Sequence, residues 1–163
     1  MARRHLNRDW AADGFWRGFR RTFRSPRDVE LAFRIGAFVW NLPRRLERLP
    51  LDRLLRELEA TRGLPASNPH AAVERIARLR QAWLASPFLR ARNTCYVRAI
   101  TLYRFLDAGG RRLRIHFGVE PGVNAGDRVR GHAWVTVDGE LLEPPEPLLA
   151  GRVRELYAYP SDG

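Results

Sequence analysis

The chain contains no lysine: all 29 of its Lys/Arg residues are arginine. A lysine Schiff base or lysine general base is therefore excluded. There is one cysteine, Cys95, which rules out an intrachain disulfide and any zinc site built on several thiolates, and which suits a reducing compartment. Long apolar runs are missing as well. The longest uncharged one, Ile35 to Leu42, is far short of the roughly 20 residues a bilayer span needs. The N-terminus carries arginines but no apolar run leading to a small-residue cleavage site, so it does not read as a secretory signal. No repeat or low-complexity tract supports a solenoid. These absences predict a soluble, cytoplasmic protein with no transmembrane segment.

What is present is enough for one domain with a core: 163 residues, 45% of them apolar. The net charge of +11 is uneven, since Met1 to Arg56 holds 14 arginines against 6 acids. That half favours an acidic partner, whether peptide, protein, nucleic acid or membrane surface. Its first stretch, Met1 to Ser25, spaces Trp10, Phe15, Trp16, Phe19 and Phe23 mostly by three and four. This predicts an amphipathic helix, packed on its own domain or docked elsewhere.

Ser25-Pro26 predicts a capped helix start leading into Val29 to Asn41, with Pro43 as its end. A second helix is expected over Asp52 to Thr61, with an apolar stripe of Leu51, Leu54, Leu55 and Leu58 and with Gly63 to stop it. After a turn-rich stretch, Asn68-Pro69 opens a third helix, His70 to Ala85. The expected organisation is a basic, aromatic-rich helical extension over residues 1–63 and a catalytic domain over 64–163, packed as one unit.

The texture then changes. Asn93 and Thr94 precede a helical run, Cys95 to Ala108, which Gly109-Gly110 stops. Leu113, Ile115, Phe117 and Val119 alternate with polar residues, as in a half-buried strand. His132 to Val137 and Glu140 to Glu143 flank Asp138-Gly139, a pair suited to a two-residue hairpin. Helix, strand, strand, strand makes an α+β fold.

With Thr94 as N-cap, Cys95 falls in the first turn of its helix, where the positive end of the macrodipole favours thiolate. His132 opens a strand after a Gly/Arg loop and offers an imidazole to take the thiol proton. His116 lies out of phase with its strand's core face, and His5 and His70 sit in incidental positions. If Asp138-Gly139 is the turn, Val137 pairs with Glu140. Glu143 then shares the His132 face one diagonal step away and is the preferred acid. Asp138 is the alternative third member and Glu146 an outside candidate. The backbone N–H of Cys95 is a candidate oxyanion donor, with the Asn93 side chain a second. Arg98, one turn after Cys95, suits a substrate carboxylate, and Trp134 suits a wall beside the imidazole. No metal or cofactor is called for.

Cys95-Tyr96-Val97-Arg98-Ala99 with Leu102-Tyr103-Arg104-Phe105-Leu106, Gly109-Gly110, Phe117-Gly118-Val119, and His132-Ala133-Trp134-Val135 with Asp138-Gly139 form a combined pattern. Together with the Leu49-to-Leu55 lead-in it covers roughly Arg27 to Pro147. It resembles the transglutaminase-like, papain-like cysteine peptidases of lasso-peptide maturation. The resemblance implies a leader peptidase with a Cys-His-Asp triad, acting on a precursor peptide presented by a separate leader-recognition protein, in company with the lasso cyclase. That family usually places its Asp about where Glu143-Pro144 stands, so Glu143 is a departure. Two other readings stay open: a transamidase on the same Cys-His pair, and a catalytically idle basic module that binds peptide or nucleic acid. No recognised nucleic-acid motif is present.

Overall fold

A computed structural model describes residues 23–63, 68–121, 129–143, 148 and 150–161. The expected aromatic helix before Phe23, the glycine-rich loop at 122–128 and Glu146 lie outside these residues. The described elements are α1 (Pro26–Arg48), α2 (Leu51–Ala60), α3 (Pro69–Leu84), a 3-10 turn at Arg90–Arg92, α4 (Cys95–Phe105), β1 (Leu113–Glu120), β2 (Arg130–Val137), β3 (Glu140–Leu142) and β4 (Arg154–Tyr159).

Local chemistry explains most of the helix starts. Ser25 caps α1 through a 3.2 Å bond from the Asp28 N–H, with Pro26 at the first position. Asn68 accepts from the Ala71 N–H at 3.2 Å at the head of α3. The apolar stripe of α2 is buried as expected, with Leu54, Leu55 and Leu58 at 0% exposure, each contributing roughly 1.5–3 kcal/mol.

Pro43 does not end α1, which continues through it to Arg48. Proline removes an N–H and so orphans a carbonyl one turn back, at Val39. Here the Arg92 guanidinium supplies donors from outside the helix, at 3.4 Å to the Val39 carbonyl and 2.6 Å to that of Trp40. At its other end α1 is held to α3 by the buried Asp28 carboxylate. Its oxygens accept from the Arg24 N–H at 2.8 Å, Arg75 Nε at 2.5 Å and Arg78 at 3.4 Å. Midway, Trp83 Nε1 donates to the Ala32 carbonyl at 2.7 Å, and its ring lies against Gly36.

The helix that begins at Cys95 stops at Phe105 rather than Ala108. The Asp107 carboxylate accepts from the Gly109 N–H at 2.9 Å, a local turn that competes with the helix. Gly109 and Gly110 follow at φ 63° and 87°.

The sheet has the order β3-β2-β1-β4, antiparallel throughout. Asp138 and Gly139, at φ 51° and 85°, form the expected tight turn, with Val137 opposite Glu140. The fourth strand was not among the expected elements. Arg154–Tyr159 alternates little in burial, and β1 recruits it as an edge partner, with the Tyr159 hydroxyl donating to Glu59 of α2 at 2.7 Å.

Leu113, Ile115 and Phe117 of β1 and Ala133, Val135 and Val137 of β2 face the helices. They join one core that also takes Ile35, Val39 and Leu42 from α1 and Leu54 to Leu58 from α2. Helices on both sides of residue 63 thus share that core.

Candidate active site

Cys95 is the first residue of α4. Thr94, extended at φ −112° and ψ 159°, caps the helix through a 3.3 Å bond from the Val97 N–H to its hydroxyl. The next amide along, Arg98 N–H, is the first to bond back into the turn, to the Thr94 carbonyl at 3.0 Å. Among the described residues the Cys95 N–H has no acceptor, so it remains a donor at the positive end of the helix. The thiol donates to the Gly131 carbonyl at 3.5 Å, one residue before His132. Gly131 makes this approach possible, because a Cβ there would overlap the Tyr96 hydroxyl. Burial, and then the neighbouring Cys95, push the Tyr96 phenol above its ordinary value, so it stays protonated.

A cavity of about 280 Å³ opens beside the thiol, lined by Arg80, Cys95, Arg98, Glu143 and the β2 run Ala133 to Val135. Arg98 also lines it, exposed and with no side-chain partner among the described residues. Arg80, which the sequence reading passed over, is 3% exposed. Its guanidinium grips both Glu143 oxygens at 2.9 Å and donates to the Arg98 carbonyl at 3.2 Å. A buried arginine mid-helix gives no signal in one sequence of what it faces.

His132 is brought to the thiol by its strand rather than by its ring. Both ring nitrogens are buried and have no hydrogen-bond partner, and alternation puts the ring on the Trp134 side of β2, away from Ala133 and Val135. The carboxylate beside it is Glu120, the last residue of β1, with Oε2 at 3.4 Å from Nε2. That is ion-pair range, though too poorly aligned for a hydrogen bond. Arg152 holds the other oxygen of Glu120 at 2.8 Å. Burial pushes the Glu120 carboxyl up, but Arg152, His132 and Arg130 outweigh it and hold the group below its ordinary value.

Two expectations about side chains need correction here. Glu143 does not face His132: β3 ends at Leu142, Glu143 turns to φ 47°, and Arg80 takes its carboxylate. Asp138 sits at the far end of β2, with its carboxylate on Arg111 Nε at 2.7 Å and the Arg112 N–H at 2.8 Å, so it ties the hairpin to the start of β1. Trp134 is buried and stacks on His116, with the rings 3° from parallel and 5.4 Å apart. His116 is itself held by Glu155 and Thr136 at 2.8 Å each. Asn93 is exposed at the end of the 3-10 turn, and His70 is exposed with Glu140 at 3.7 Å.

A cysteine heading a helix that packs on an antiparallel sheet, with a histidine on the adjoining strand, defines a class of α+β cysteine enzymes, the peptidases and transglutaminases. The comparison with known families agrees: residues 37–156 match the transglutaminase-like superfamily, and the chain belongs to it. The match crosses residue 63, as the shared core does. Comparisons with curated proteins and with solved structures gave no match. Among the described residues no helix is long and apolar enough to cross a membrane.

Proposed function

We propose that the protein is a cysteine peptidase that removes the leader from a ribosomally made precursor peptide during lasso-peptide maturation, with Cys95 as nucleophile and His132 as base. The observation that carries this reading is the placement of the thiol: first in a capped helix, on the rim of a cavity, and hydrogen-bonded to the residue before His132. The leader-peptide assignment rests on the motif resemblance, and the excess of arginine suits an acidic leader.

In this mechanism His132 takes the thiol proton and Sγ adds to the scissile carbonyl carbon. The Cys95 N–H is placed to receive the developing oxyanion, with Asn93 as a weaker second donor. The C–N bond then breaks and the imidazolium gives its proton to the departing amine, leaving a thioester on Cys95. Water, deprotonated by His132, attacks the thioester and releases a carboxylate, and the proton returns to the thiolate. The His132 ring here lies on the face of β2 away from the cavity, so this mechanism requires the ring to swing to the thiol in the substrate complex. Arg98 faces the cavity where it can hold a substrate carboxylate.

The test is mass spectrometry of a precursor peptide incubated with its leader-recognition protein and either this protein or Cys95→Ala. Leader release by the first alone supports the reading and fixes the cleavage site. A product heavier by an added amine identifies a transamidase instead. Intact peptide in both samples removes the peptidase reading.

A further inference from the structure

We propose that Glu120 is the carboxylate that positions His132 in this chain, in the role the hairpin register had given to Glu143, and that Arg152 holds Glu120 in place for it. The proposal rests on the reading of His132 as the base for Cys95.

Glu143 is already committed. Both its oxygens are bound by Arg80, a guanidinium that is 3% exposed and that also supports the start of α4 through the Arg98 carbonyl. Turning Glu143 toward the imidazole would strand that buried cation without a counter-charge, which costs far more than a partly exposed pair returns.

Glu120 is free of any such tie to the core. In the β1–β2 register Gly118 is opposite His132 and Glu120 is opposite Arg130, so Glu120 is the diagonal neighbour of His132 on the same face. Glu120 Oε2 is buried without a hydrogen bond, and so are both nitrogens of His132. Unsatisfied buried acceptors and donors are uncommon and costly. Here an acceptor and a potential donor stand 3.4 Å apart, each the group best able to satisfy the other. A realignment of a few tenths of an ångström joins them. Arg152 Nε on Oε1 leaves Oε2 as the oxygen turned to the ring.

The chemistry that follows is specific. A carboxylate at Nε2 selects the tautomer with its proton there, leaving the Nδ1 lone pair as the ring's proton acceptor, and it stabilises the imidazolium that forms. The charged groups around this ring are Glu120, Arg152 and Arg130. Glu120 is thus a positioning residue.

The experiment has two arms. In Cys95→Ala protein, long-range 1H–15N spectra of the His132 imidazole are recorded at a pH where the ring is neutral. The expected result is the Nε2–H tautomer with Glu120 intact, mixed tautomers with Glu120→Gln, and no change with Glu143→Gln. In peptidase assays, Glu120→Gln lowers kcat by roughly 10- to 100-fold with KM within about twofold, and Glu120→Asp recovers part of the loss. An unchanged tautomer in Glu120→Gln overturns the proposal, whatever happens to activity. Full kcat in that variant overturns it too. If the wild type cleaves no peptide but the tautomer shifts as expected, the positioning contact stands and the peptidase reading is what fails.

Discussion

Replacing Asp28 by Asn tests the strut between α1 and α3. The Asp28 side chain is 3% exposed. Oδ2 accepts from the Arg24 N–H and Arg78, and Oδ1 accepts from Arg75 Nε. An amide keeps one of these acceptors and presents its NH2 as a second donor to the other arginine. Breaking a buried pair costs about 3–5 kcal/mol. The Arg75 and Arg78 side chains are 37% and 27% exposed, so they regain water and the loss falls to about 2–3 kcal/mol. For a domain of this length that lowers Tm by about 5–10 °C.

The pH dependence supplies the control. Burial pushes the Asp28 carboxyl up, but the Arg24 amide, Arg75 and Arg78 more than reverse this, and it sits below its ordinary value. A depressed folded-state pKa gives stability that is complete above about pH 4 and is lost as pH falls through the folded value. The gap between wild type and Asp28→Asn, measured by circular dichroism melts, is therefore largest near neutrality and closes only as pH falls below the ordinary aspartate range, through the lowered folded-state value. A gap under about 1 °C at neutral pH, or one that does not change with pH, would refute this account.

Gly36→Ala places a Cβ 2.5 Å from Trp83 Cε2 and within 2.9 Å of two further ring carbons. The helix-propensity gain of about 1 kcal/mol is then outweighed by overpacking of about 1–3 kcal/mol. Urea titration should show a lower midpoint and the Trp83 indole N–H resonance should move; a raised midpoint contradicts the packing. Gly131→Ala drives Tyr96 away from β2 and with it the helix start that carries Cys95. Peptide cleavage should fall at least about tenfold, and Tyr96→Phe in the same chain should restore part of it, since the hydroxyl makes the closest overlap. Equal losses in the single and double variants would show that Tyr96 is not the obstacle.

Much of the fold was legible wherever a few adjacent residues decide the matter. Ser25, Asn68 and Thr94 cap their helices because a side-chain oxygen reaches an amide three residues on. Asp138-Gly139 closes its hairpin because both positions need positive φ, and the alternation of Leu113, Ile115 and Phe117 marked a strand with one face in the core. The position of Cys95 at a helix head followed from the same local rules.

What the sequence could not show was settled by partners far along the chain. Pro43 stays inside α1 because Arg92, 53 residues from Val39, repairs its broken ladder. Glu143 was placed by strand register alone, yet its carboxylate went to Arg80, 63 residues away, since a buried guanidinium needs a counter-charge more than an imidazole does. Glu120 came to His132 through the pairing of β1 with β2, and β4 became a strand only because β1 offered it an edge. Caps and turns are short-range bonds written in neighbouring residues. The destination of a buried charge is decided by desolvation, and burial exists only once the chain has packed.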